Sequence, residues 1–97
     1  MIVGVCRVEL DIPAAESLKD KRRVVQSTLT RVRSRFQVSI AEVEAQEQWR
    51  TAVLGIAAVS NEGAHARDLL ERIVRFLEGT RMDAEVISAD YDAFPAF

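Results

Sequence analysis

The chain has 97 residues, of which 48% are hydrophobic and 29% charged, and its formal net charge is −2. This length suits one domain, residues 1–97, built around a single core. The single cysteine excludes an internal disulfide, and no apolar run approaches the roughly 18 residues that a membrane span needs. Since the sequence opens directly into strand-like residues without a basic leader, we expect a cytoplasmic protein.

The first half begins with a strand and a helix. Residues 2–12 are β-branched and apolar, with polar residues in alternation over their second half, which predicts a half-buried strand that Pro13 ends. Ser17 stands three residues before Asp20, an approximate capping box with a shorter acid than usual. The helix that follows carries an apolar stripe formed by Leu18, Val25, Leu29, Val32 and Phe36.

Two further strands are predicted in the middle of the chain. Residues 38–44 alternate in polarity, and residues 52–59 form a continuous apolar run that contains Gly55. This run is too short for an isolated helix, and a helix interior would disfavour its glycine. It therefore reads as a central strand with two apolar faces, one of odd-numbered and one of even-numbered residues.

The last third predicts a helix and a final strand. Ser60 or Asn61 is expected to cap the helix, Gly79 to end it, and residues 83–91 to form the strand. The order is therefore βαββαβ, the ferredoxin-like split βαβ sandwich of the α+β class. This fold places both helices on one face of a four-stranded antiparallel sheet and leaves the other face open.

The open sheet face is the first candidate site. A large exposed apolar surface usually marks an interface, so we expect a homo-oligomer that associates through the sheet. The residues assigned to this interface are Val3, Val5, Leu54, Ile56 and Trp49. In the alternative, the carboxy-terminal tail with Tyr91, Phe94 and Phe97 folds back and covers the sheet.

The first helix is the second candidate site because seven basic residues and one acid lie between residues 17 and 36. Phosphate contacts need only positive charge at backbone spacing, so this helix could bind RNA. The residues assigned to RNA or anion binding are Lys19, Lys21, Arg22, Arg23 and Arg33. In the alternative the charges form a solvated face, and the isoelectric point of about 5.4 argues against generic nucleic-acid binding.

Residues suited to catalysis or metal binding are few. Cys6 and His65 are the only residues of their kinds and lie on different elements, so we expect no shared metal site and no cofactor. Glu42 and Glu44 share parity on the second strand and could form an acid–base pair, although solvated strands often carry such pairs without chemistry. No glycine-rich phosphate loop and no activated nucleophile is recognisable, so we expect no enzymatic activity.

Several segments resemble one known family. They are the block Ser17–Arg23 (SLKDKRR), the stretch Val38–Val43, and Gln46–Trp49 leading into Ala52–Gly55 and Val59–Asn61. Together they are similar to the YlxP-like family of small bacterial proteins, a group of unknown function. The resemblance extends from Met1 to about Tyr91, and Asp20 replaces the more usual Glu of the first block. It implies a ferredoxin-like fold with no established catalytic residue. The family's genes often neighbour translation genes, which implies a connection with RNA or the ribosome.

These observations lead to three hypotheses about the function of the protein. The first is a non-catalytic interaction module that binds RNA or a ribosomal particle through the first helix. The second is a homo-oligomeric sensor or regulatory module that holds an unidentified small molecule between paired sheets. An enzyme comes third, since the expected site chemistry is missing.

Overall fold

The computed structural model describes residues 1–80 and 83–97. Its elements are β1 (Ile2–Asp11), α1 (Leu18–Arg35), β2 (Ser39–Glu44), β3 (Thr51–Ser60), α2 (Gly63–Gly79) and β4 (Glu85–Pro95). The strands form one antiparallel sheet in the order β2-β3-β1-β4. The predicted βαββαβ order and the ferredoxin-like α+β fold are confirmed. No helix in these ranges is long and apolar enough to cross a lipid bilayer.

The two faces of the sheet follow from the register of its strands. Residues directly opposite each other in an antiparallel pair share a face, and Cys6 lies opposite both Ile56 on β3 and Tyr91 on β4. Apart from Ile2 and Ser60, the even-numbered residues of β1 and β3 are buried against the apolar sides of both helices. The odd-numbered residues of the same strands therefore form the open face.

The predicted cap of α1 is present. The Ser17 hydroxyl accepts a hydrogen bond from the backbone N–H of Asp20 at 3.1 Å, and the Asp20 carboxylate accepts one from the N–H of Glu16 at 3.0 Å. In the usual capping box the acid binds the N–H of the cap residue itself. Here the carboxylate of Asp20 binds the N–H one position earlier, so the reciprocal arrangement survives with the shorter side chain.

The ends of α2 differ from the sequence prediction. Neither Ser60 nor Asn61 caps the helix: Glu62 is the cap residue without a side-chain cap bond, and the Ser60 hydroxyl accepts from the Glu62 N–H in a turn. Gly79 is the last helical residue. Thr80 follows it as the cap, and its hydroxyl donates to the Phe76 carbonyl at 2.6 Å.

The tail does not fold over the sheet. Strand β4 extends to Pro95, which lies opposite Ile2, and the N–H of Ala96 donates to the Met1 carbonyl at 2.8 Å. The predicted end of the strand near Tyr91 was too early, because β1 offers its whole length for pairing. The alternative in which the tail covers the sheet is therefore wrong, and the open face stays exposed.

Candidate interaction surfaces

Three exposed cations lie together at the start of α1. Arg22 and Arg23 follow Lys19 by three and four residues, so the three side chains share one side of the helix. Within residues 1–80 and 83–97, none of the three forms an ion pair with a carboxylate. Asp20 and Asp83 line a small groove beside Arg23, and the Asp20 carboxylate is engaged by the backbone N–H of Glu16. We call Lys19, Arg22 and Arg23 the α1 start surface.

Lys21 does not belong to this surface, although the sequence placed it there. Its side chain is only 1% exposed, and its ammonium lies 2.9 Å from a carboxylate oxygen of Glu42 on β2. The same ammonium donates to the carbonyl of Ala45. A group enclosed between α1 and β2 cannot reach a phosphate without opening the core, so the anion-binding assignment of Lys21 is withdrawn.

Arg33 is exposed but lies apart from the other basic residues. It is 11 residues beyond Arg22, about 17 Å along the helix axis. One of its guanidinium nitrogens donates to the carbonyl of Ile40 on the edge strand β2, at 2.8 Å. The structure therefore assigns Arg33 a contact between helix and sheet and does not bring it to the α1 start surface.

A β-bulge separates the two carboxylates of β2. Glu42 lies opposite Leu54 and Glu44 opposite Val53, because Val43 is an extra residue in the strand. Glu42 consequently faces the helices, whereas Glu44 is on the open face and accepts two hydrogen bonds from Arg7, at 2.8 and 3.1 Å. These bonds lower the pKa of Glu44 and raise that of Arg7. The two acids therefore do not form an acid–base pair. Two residues with even numbers lie on opposite faces of a strand when a bulge inserts an extra residue between them.

Only some of the residues assigned to the sheet interface lie on the open face. Val3 and Val5 lie half-buried on the open face, as expected. Leu54 and Ile56 are buried beneath the helices, so their assignment to the interface is wrong. Both faces of β3 are apolar, and only the packing of the helices decides which one is covered.

An exposed apolar row crosses three strands at one end of the open face. Val3 lies opposite Val59 on β3 and Phe94 on β4, and these two neighbours are 70% and 45% exposed. Toward the other end, the face carries the acids Glu9, Asp11, Glu44, Glu85 and Asp90, whereas Asp92 lies opposite Val5, next to the apolar row. The open face thus has an apolar end and an acidic end.

Trp49 does not join the apolar row. It is 52% exposed in the connection between β2 and β3. The next strand begins at Thr51, which lies opposite Asp11 at the far end of β1 from Val3. The structure therefore places Trp49 at the acidic end of the sheet.

The surroundings of Cys6 and His65 do not suit the two residues to a common metal or catalytic site. Burial, and secondarily the charge of Asp90, raises the pKa of the Cys6 thiol to about 11. His65 is exposed on α2 with its Nε2 atom 3.5 Å from the carboxylate of Glu62. In the part of the chain that the structure describes, no group of three or more His, Cys, Asp or Glu residues could hold a metal ion.

Sequence reasoning missed a groove between the end of α1 and the middle of α2. Arg35, Arg72 and Arg75 line it together with Phe36 and Phe76. The arginines of α2 lie in the acidic half of the sequence, where their clustering with Arg35 is hidden. The only signal would have been the helix spacing of Arg72, Arg75 and Phe76.

The fold and these surfaces define a ferredoxin-like α+β protein with one helical layer and one open sheet face. Residues 3–91 match the family described as Protein of unknown function (DUF503), and the chain belongs to this family. It is also 39% identical over 77 residues to the Uncharacterized protein YlxP of Bacillus subtilis (strain 168), an alignment that covers 79% of this chain and 84% of the relative. The resemblance noted in the sequence is confirmed.

Proposed function

We propose that this protein is a non-catalytic, cytoplasmic interaction module that binds RNA or a ribosomal particle through the α1 start surface. The observation that carries the proposal is the grouping of Lys19, Arg22 and Arg23 on adjoining turns, exposed and without an ion pair among the described residues. Cations with no carboxylate partner can bind phosphates without first breaking an ion pair, and the counterions that the nucleic acid then releases supply a large share of the affinity.

The location on the helix adds to the attraction. The amino-terminal end of a helix carries a partial positive charge of about half a unit from its unpaired N–H groups. Three side-chain cations next to it add positive charge beside Asp20 and Asp83, in a chain whose net charge is negative. The acidic end of the sheet repels a phosphate backbone, so the polarity of the molecule orients an RNA toward the helical layer.

Charge reversal at the α1 start surface tests the proposal. In the variant R22E/R23E, we expect co-sedimentation with bacterial ribosomal particles and retardation of a structured RNA hairpin to be lost at low salt. In R22Q/R23Q, which removes two charges without reversing them, the slope of log affinity against log salt concentration should fall by about 1.4 to 1.8.

The matched control keeps the charge and changes the side chain. R22K/R23K should bind nearly as well as the wild type because phosphate contacts of this kind depend on charge. Circular dichroism should show the same fold in both variants, since both positions are exposed. Unchanged binding by R22E/R23E would refute the proposal.

A second candidate function is self-association through the open sheet face. The apolar row of Val59, Val3 and Phe94 is the observation that favours it. A two-fold axis through this row would place the two apolar ends against each other and direct the acidic ends apart. A shallow groove lined by Val5, Ala57 and neighbouring residues would be closed by the second copy and could hold a small apolar molecule.

Sedimentation velocity tests this second candidate. The variant V59D places a charge in the apolar row, so the protein should shift from dimer to monomer. I87D is the control, because Ile87 is equally an exposed apolar residue of the sheet but belongs to the bulge of β4 far from the row. A wild-type chain that is monomeric at all concentrations would rule this function out.

A further inference from the structure

The groove between α1 and α2 combines cationic and aromatic side chains. Phe36 and Phe76 meet edge to face, with ring centroids 5.6 Å apart. The Arg35 guanidinium lies over the Phe76 ring at 5.0 Å from its centroid. Arg72 and Arg75 line the same groove from α2. Three guanidinium groups therefore border one concave surface whose base is apolar.

The charge in this groove is not balanced locally. None of the residues that line it is acidic. Arg72 lies 3.4 Å from the exposed Asp68 carboxylate, and exposed pairs of this kind contribute about 0 to 1 kcal/mol, too little to prevent exchange of partners. Among the described residues, neither Arg35 nor Arg75 has a carboxylate partner.

The carboxy-terminal end of α1 repels a bound anion only weakly. The last carbonyls of a helix carry roughly half a negative charge, whereas the three guanidinium groups carry three positive charges. The contact with Phe76 also restricts the motion of the Arg35 guanidinium. An ordered guanidinium loses less conformational entropy when it forms paired hydrogen bonds to phosphate oxygens.

We propose that this arginine groove is a binding site for phosphate groups. Its ligand is either a free compound with several phosphates or consecutive phosphates of a nucleic-acid strand, since both present the same oxygens. The site is separate from the α1 start surface, because Arg35 lies 13 residues beyond Arg22, about 20 Å along the helix. A single RNA strand could reach both, yet the groove does not depend on that role.

Titration of the full chain with sodium tripolyphosphate and with a short single-stranded RNA tests the groove. Binding is measured by calorimetry and by amide NMR shifts. Shifts should concentrate at residues 35–37 and 69–76, and R35Q/R75Q should weaken tripolyphosphate binding by about tenfold. R75Q alone should weaken it several-fold, and provides a test if the double variant is unstable. R22Q/R23Q, which removes the same charge from the start of α1, should leave tripolyphosphate binding unchanged.

The outcomes separate the ligand sources and the two sites. Groove shifts with tripolyphosphate but not RNA support the site and identify a free phosphate compound, whereas the reverse supports the site and identifies a nucleic-acid backbone. RNA binding that is unchanged in R22Q/R23Q, with groove shifts intact, would support the groove even though the proposed function had failed. The absence of groove shifts with both ligands, or equal weakening of tripolyphosphate binding by both double variants, would overturn the proposal.

Discussion

The ammonium of Lys21 is removed from water between α1 and β2, where it binds Glu42 and the carbonyl of Ala45. The free energy of transferring two charges from water is comparable with their mutual attraction, so such a pair adds little net stability. Removing one partner is different because the other stays largely shielded from water with its charge uncompensated. Lys21 and Glu42 therefore connect the helix α1 with the edge strand β2.

The substitution Lys21→Met keeps the aliphatic stem and removes the charge. We expect the free energy of unfolding to fall by about 3 kcal/mol, since Glu42 retains some contact with solvent and the upper range for buried pairs is larger. The double variant K21M/E42L should recover most of this loss. Urea denaturation of the three proteins measures it, and a single variant as stable as the wild type would contradict the expectation.

The thiol of Cys6 should make stability depend on pH in alkaline solution. Burial raises its pKa from 9.0 to about 11, so the folded state holds the proton more tightly than the unfolded state. The associated stability is fully present below pH 9 and is lost as the pH rises toward 11. The steepest slope from this one proton is about 1.4 kcal/mol per pH unit.

The variant Cys6→Ala isolates this effect. Its unfolding free energy will be lower at neutral pH because a small cavity forms, but it should decline less steeply than the wild type between pH 9 and 11. Denaturation at several pH values provides both curves. Parallel curves would show that Cys6 does not contribute to the pH dependence.

At the scale of elements, two glycines in the central strands differ in what surrounds them. A Cβ atom on Gly4 would lie 2.9 Å from the Ala66 Cβ and 3.1 Å from the Leu70 Cδ1 on α2. A Cβ atom on Gly55 would lie 2.9 Å from the Cγ1 of Val43, an exposed side chain in the bulge of β2. Gly4 thus sets how closely α2 approaches β1, whereas the neighbour of Gly55 can move.

The paired variants Gly4→Ala and Gly55→Ala test this difference. We expect Gly4→Ala to lower the unfolding free energy by about 1 to 3 kcal/mol, because the buried helix must shift. Gly55→Ala should stay within about 0.5 kcal/mol of the wild type, since reduced freedom of the unfolded chain offsets the displaced valine. Urea denaturation compares them directly, and equal losses would contradict the assignment.

The edge strands are poorly suited to pairing with another sheet. Arg33 of α1 occupies the carbonyl of Ile40 on β2. Strand β4 carries Glu85, Asp90 and Asp92, and acids on an edge strand repel a second copy of the same strand. If two copies associate, a contact through the apolar end of the open face is therefore more favourable than pairing of their edge strands.

At the scale of the whole molecule, the helical layer and the open sheet face lie on opposite sides of the sheet. The α1 start surface and the arginine groove belong to the first, and the apolar row belongs to the second. Residues on the two sides are too far apart to have common contacts. The effects of substitutions on binding and on self-association should therefore be additive.

This separation predicts independent behaviour of two variants. R22E/R23E should sediment with the same oligomeric state as the wild type, and V59D should retain affinity for RNA in each subunit. Sedimentation velocity combined with RNA titration of both proteins measures the two properties. An oligomer that dissociates in R22E/R23E would show that the helices, and not the sheet face, form the contact between copies.

Much of the fold could be predicted from local pattern, because alternation and helical periodicity are properties of neighbouring residues. The order of elements, the central position of β1 and β3 and the cap at Ser17 are confirmed. The covered face of β3 could not be predicted, since its odd- and even-numbered residues are similarly apolar. The true end of β4 was missed because a partner strand sets how far pairing extends.

The sequence by itself determined the class of fold and the cation-rich composition of the first helix, since these depend on spacing along one chain. Tertiary structure alone decided which cations remain in water. In the folded chain Lys21 is buried beside Glu42, and Arg33 donates a hydrogen bond to β2. The groove between the two helices is lined by Arg35, Arg72 and Arg75. These outcomes depend on distances between residues far apart in the chain, and no local pattern encodes such distances.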